Sequence, residues 1–155
     1  MEIYWSAQDW AWGLSLIGLT IAMHAMGVVM MALLGVRIRA RLETRSLGLR
    51  HVVLILIGMV GAAGLLLAAL HGIEAAIWAA AYLWLGALDS PIDAMVYSVD
   101  SMTTRGASGL MLQRRWQLMG ALEAADGIML LFGISTAYMF AMMQAYWPML
   151  MIHRH

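Results

Sequence analysis

The sequence predicts an all-α membrane protein with three transmembrane helices and one half-length helix that dips into the bilayer. Three observations predict it. Of 155 residues, 63% are hydrophobic and only 12% charged, where soluble domains carry about 25% charged residues. Three apolar runs are each long enough to span a bilayer, which takes about 20 residues. A short capped helix, too short to span, lies between the second run and the third. A soluble domain of this size cannot hide so much apolar surface. With a mean hydropathy of +0.80, lipid is the expected solvent.

The charged residues narrow the function. Formal net charge is zero, and all nine basic residues are Arg, with no Lys. No basic face is left for nucleic acid. Cysteine is absent, which excludes disulfides, thiolate metal sites and Cys nucleophiles. Serine triads, phosphate loops and nucleotide fingerprints are also absent, so neither an enzyme nor a cofactor is expected.

The first span covers residues 12–34, with His24 its only ionisable side chain. The second covers 52–85 and the third 116–147. Both exceed the length that a bilayer needs and must tilt, bend or protrude. Trp5, Trp10, Trp12, Trp78, Trp84, Trp116 and Trp147 fall mostly near the run ends, where aromatic belts form. Between the first two spans lie Arg37, Arg39, Arg41, Arg45 and Arg50, with Glu43 the one acid among them. The positive-inside rule places this loop in the cytoplasm. The N-terminus is then outside, and the C-terminal end with Arg154 is cytoplasmic. Gly58, Gly61 and Gly64, with Ala68 and Gly72, form a small-residue stripe suited to close contact with the first span or a neighbouring subunit.

The segment between the second and third spans is the most informative. Ser90-Pro91-Ile92-Asp93 reads as a helix start: Ser90 as N-cap, Pro91 at the first helical position, Asp93 near the orphan amides. The helix is expected over 91–103, broken by Gly106 and Gly109. A dozen residues reach roughly 18 Å, about half the hydrocarbon thickness. A half-length helix followed by a Ser/Thr/Gly stretch between two full spans is the pattern of a re-entrant loop. Irregular backbone at that depth survives only where protein buries it or where it lines a water-filled path.

This order of elements resembles the potassium-channel superfamily, whose pore unit is outer helix, pore helix, T-T-V-G-Y-G-D filter and inner helix. The matching string is Ser101-Met102-Thr103-Thr104-Arg105-Gly106-Ala107-Ser108-Gly109, approached by Tyr97-Ser98. The stretch from His71 and Glu74 through Trp78 to Tyr82 is similar to the outer helix of small bacterial members. Leu122-Glu123-Ala-Ala-Asp126-Gly127 through Gly133, Ser135 and Ala137 is similar to their inner helix. The resemblance divides the chain into residues 1–51, a first span with its Arg-rich loop, and 52–155, a pore domain. Within the latter it implies an outer helix 52–85, pore helix 91–103, filter-like loop 104–109 and inner helix 116–147. It further implies a homotetramer in the bacterial inner membrane that passes monovalent ions, potassium or another, with Gly127 and Gly133 as gating hinges. The filter departs from the family pattern: Arg105 stands for Val, Ala107 for Tyr, Ser108 for the second Gly and Gly109 for Asp. Potassium selectivity is therefore expected to be altered or lost.

Arg105 behind the loop would be a buried charge in need of a partner, with Glu74, Asp100 and Glu123 available; pointed at the axis, it would form a ring favouring anions. The paired orientation is expected. His71 and Glu74 lie three apart on one face, as do Glu123 and Asp126. With Asp100 they are expected to form a buried charge network. The alternatives are a membrane metalloprotein using His71, Glu74, Glu123 and Asp126, or a non-conducting channel homologue. His24 reads as a hydrogen-bonded packing residue.

Overall fold

A computed structural model describes residues 7–44, 48–106 and 108–151. Among the described residues every regular element is helical. Helix α1 is Ala7–Glu43, α2 is Leu49–Trp84 and α3 is Pro91–Met102. A 3-10 turn, Arg114–Trp116, leads into α4, Gln117–Gly127; a π-helical stretch, Ile128–Ser135, then continues into α5, Thr136–Met151. Three helical runs, Ala7–Leu42, Arg50–Trp84 and Arg114–Pro148, are long and apolar enough to cross a membrane. Their outward faces carry exposed Leu, Ile, Val, Met, Phe and Trp side chains, as a lipid-facing surface requires.

Two expectations about these runs are corrected. Arg37, Arg39 and Arg41 are not in a loop but on the last turns of α1. Arg is a good helix former, and no Gly or Pro intervenes between Val36 and Glu43 to stop the helix. Arg41 also lies at the helix carboxyl end, where positive charge is favoured. The connection to α2 is consequently short, and Arg45 in it falls outside the described residues, as do Trp5 and Arg154. The third run is not one uniform α-helix, because the π stretch interrupts it.

The small-residue stripe does not face the first span. A Cβ at Gly58, Gly61, Gly64 or Gly72 would meet nothing within 4 Å, so the stripe looks away from the chain's own helices. Close approach to α1 is made elsewhere. A Cβ at Gly27 would lie 2.8 Å from Leu70 Cδ2, and one at Gly13 would overlap Leu122.

Helix α3 begins as its sequence dictates. Ser90 caps it, accepting from the Asp93 amide at 3.3 Å, with Pro91 in the first turn. Ser90→Ala is expected to cost about 1 kcal/mol, seen as a small drop in the thermal unfolding midpoint in detergent. The helix ends at Met102, earlier than the glycines suggest. The amide of Thr103 still bonds to Val99, but Thr104 turns left-handed at φ 56°, and a helix cannot pass through that conformation.

Packing places α3 between α2 and α4. Ser98 Oγ donates to the Ala75 carbonyl of α2 at 2.7 Å, and Ser101 Oγ donates to the Gly120 carbonyl of α4 at 3.0 Å. A Cβ at Gly127 would collide with the Met102 backbone, so glycine alone permits this approach. Gly127 lies roughly 16 Å beyond Trp116 at about 1.5 Å per residue. The carboxyl end of α3 therefore sits midway along the third run. The core around it comprises Leu16, Ala75, Trp78, Tyr82, Met102, Leu112, Trp116, Met119 and Leu130. A smaller cluster, Ala63, Met142 and Tyr146, ties α2 to α5.

Candidate functional site: the loop after α3 and the buried polar column

The loop is organised by one carboxylate. Asp100, in the last turn of α3, accepts from Arg105 Nε at 2.7 Å and from the Ser108 amide at 3.0 Å. The Arg105 amide bonds back to the Asp100 carbonyl at 3.0 Å. Left-handed backbone recurs at Thr104, Gly106 (φ 62°) and Gly109 (φ 70°). Glycine adopts it freely, whereas at Thr104 it carries strain. Among the described residues no backbone amide bonds to a carbonyl of residues 103–106, 108 or 109, so these peptide oxygens have no ladder partner. Thr103, Thr104, Arg105 and Gly106 are exposed, while Ser108 is half-buried. Ala107 falls outside the described residues.

Arg105 takes the expected partner type but not the expected place. It pairs with Asp100, yet its side chain is 64% exposed. Its partner lies in the preceding helical turn, so the pair forms beside the loop rather than under it. Arg105 is thus not the cation of the buried network, and Asp100 belongs to the loop rather than to that network. Tyr97, on the same helix, packs edge-on against Tyr82 with ring centroids 5.4 Å apart.

Beneath the loop runs a column of polar side chains, buried except for the half-buried His71, in three nodes. In the first, Glu123 accepts from Tyr82 at 2.6 Å and pairs with Ser98. One α4 carboxyl thereby holds α2 and α3. In the second, Asp126 Oδ2 accepts from Thr20 at 2.7 Å and from Trp78 Nε1 at 3.1 Å, while its Oδ1 is buried with no partner. In the third, Glu74 Oε1 meets His24 Nδ1 at 2.8 Å and Oε2 meets His71 Nδ1 at 2.9 Å. The opposite ring nitrogens, Nε2 of both histidines, converge on Ser135 Oγ at 3.2 and 3.1 Å. The two imidazoles stack, with centroids 5.0 Å apart. Glu74, His24, Ser135 and His71 thus form a closed ring of four contacts across α1, α2 and the π stretch.

The four residues anticipated as one ligand set do not converge. His71 and Glu74 share the third node, whereas Glu123 and Asp126 each serve a different one. His24, expected as a hydrogen-bonded packing residue, is buried and hydrogen-bonded and completes the third node. Thr20, Tyr82, Ser98 and Ser135 were not anticipated. A partial signal was available: Thr20 and His24 are four apart on an otherwise apolar helix, and His71, Glu74, Trp78 and Tyr82 follow helical spacing. Ser135 carried no such signal. Nine residues separate it from Asp126, about 180° around a regular α-helix, which would place the two on opposite faces. The π stretch turns less per residue and brings Ser135 to the same side as Asp126. Such stretches frequently occur at functional sites. Gly127 serves the approach of α3, and Gly133 lies within the π stretch with open space at its Cβ position.

No protein-family model matches the chain, and neither a curated protein nor a solved structure does. The reading of this site therefore rests on the chain's own residues.

Proposed function

We propose that the chain is one subunit of a pore-loop channel, resembling potassium channels, that passes small monovalent cations across the cell membrane. The observation that carries this reading is where α3 ends. Its amino end starts beside the end of α2, and its carboxyl end meets Gly127 midway along the third run. A loop that returns from there with unpaired carbonyls survives in lipid where protein buries it or where it lines a wet path, and the exposed Thr103, Thr104, Arg105 and Gly106 favour the second. The negative end of the α3 dipole, together with those carbonyls, favours a cation. Pairing with Asp100 neutralises Arg105 and removes the main reason to expect an anion path.

One chain supplies one wall of such a path, so the reading needs a closed ring of copies, a homotetramer by the family resemblance. Ile92, Val96 and Val99 form an exposed apolar face on α3, open for a neighbouring subunit. With α1 running outside to inside, the short connection to α2 is cytoplasmic and α3 enters from the outer side.

The test is cation flux from potassium- or sodium-loaded liposomes holding the purified protein. Wild type is expected to exceed empty vesicles, and Asp100→Asn to lose at least about tenfold. The amide must turn an N–H towards either Arg105 or Ser108, two donors that require acceptors. A ring-shaped oligomer without flux would support the non-conducting homologue instead, and a monomer without flux would end the channel reading.

A further inference from the structure

We infer that His24, His71 and Glu74 form a binding site for one divalent first-row transition cation, held between α1 and α2. Two histidines and one carboxylate are the donor set such ions take. One ligand atom from each residue lies within 4.8 Å of the other two. Both Nδ1 atoms face the Glu74 carboxylate. On that face the ion takes the place of the Nδ1 protons, after a small closing motion of the side chains.

The far sides of the rings complete the argument. Both Nε2 atoms reach the same hydroxyl, Ser135 Oγ. A serine oxygen has two lone pairs and accepts two N–H groups. Histidines that both donate from Nε2 to Ser135 hold the tautomer that leaves both Nδ1 atoms free for an ion. This is the outer-shell contact that metal-ligating histidines ordinarily make. The π stretch is what places Ser135 there.

Charge points the same way. Glu74, Glu123 and Asp126 are fully buried, and among the described residues the ion-pair partners of Glu74 are the two histidines. A divalent ion with ionised Glu74 and two neutral imidazoles leaves one positive charge. Asp126 is fully buried on the third run, and its Oδ1 has no partner. The Asp126 carboxyl, with that unpartnered oxygen, is the nearby group able to balance the remaining charge once the ion is bound.

The experiment uses the purified full chain in detergent, stripped with a chelator and titrated with zinc or cobalt(II). The expected result is saturable binding of one ion per chain. His24→Gln and Glu74→Gln should each weaken it at least about 100-fold, and Ser135→Ala about tenfold. Asp100→Asn, which disturbs only the loop, should bind normally; this separates failure of the site from failure of the channel reading. Zinc-edge absorption on wild type should count two imidazoles and no sulfur, a readout that stands even if the variants do not fold. Absence of one-to-one binding in wild type, fewer than two imidazoles, or full binding retained in both Gln variants would overturn the assignment.

Discussion

Replacing Gly127 with valine is expected to detach the carboxyl end of α3 from the third run and abolish any function of the loop. A Cβ at 127 would stand 2.6 Å from Met102 Cα and 2.7 Å from its carbonyl carbon. These are backbone atoms and cannot rotate away. The end of α3 is held from both sides, by Ser98 bonded to the Ala75 carbonyl of α2 and by Ser101 bonded to the Gly120 carbonyl of α4, so relief requires α3 to shift as a body. Overpacking costs about 1–3 kcal/mol where side chains can adjust; here the loss should reach the upper end or exceed it. For a chain of this size that is a fall of roughly 10 °C in the unfolding midpoint. Gly133→Val is the internal comparison, because open space surrounds its Cβ position and little change is expected. Were Gly127 a hinge, Gly127→Ala would fold normally and alter only opening. The collision with Met102 predicts that even alanine destabilises. Equal unfolding midpoints for wild type and Gly127→Ala would refute this account of the contact.

What could be read from the residues in order, and what could not, divides along the range of the interaction. Apolar runs and the Ser90-Pro91-Asp93 start are local signals, and the helices follow them within a few residues. The extension of α1 through Arg41 was missed because a row of arginines was read for its topological meaning rather than for its helix propensity. The partners of the buried polar groups are long-range. His24 gains its meaning only from Glu74 and Ser135, each on a different helix, and the segment Ile128–Ser135 has no residue that marks it as π-helical. Arg105 shows the converse error. Its need for a carboxylate was legible, but the acid five positions earlier was closer than those on other helices, so the charge stayed at the surface of the loop. The grouping of Glu123 with Asp126 by spacing was sound geometry for a helix face. It failed as chemistry because Tyr82 and Ser98 claimed one carboxyl while Thr20 and Trp78 claimed the other.

Glu123→Ala should be the most damaging polar substitution in the chain, costing about 3–5 kcal/mol. Glu123 is fully buried, accepts from the Tyr82 phenol at 2.6 Å and pairs with the Ser98 hydroxyl. Removing the carboxyl leaves the Tyr82 hydroxyl buried without its acceptor, strips Ser98 of one partner and opens a void between three helices. Glu123→Gln keeps the volume, accepts from Tyr82 through its oxygen and can donate its N–H to Ser98, whose own proton goes to the Ala75 carbonyl, so a much smaller loss is expected. The decisive comparison is the pair Glu123→Leu and Tyr82→Phe. If the carboxyl acts as the shared acceptor, Tyr82→Phe should cost much less in the Glu123→Leu background than in wild type, because its hydroxyl is already unsatisfied there. A coupling of about 1–2 kcal/mol would be measured by thermal or denaturant unfolding in detergent. Additive losses would mean that Tyr82 draws its stability from ring packing against Trp78 and Tyr97, and that Glu123 secures α3 through Ser98 alone.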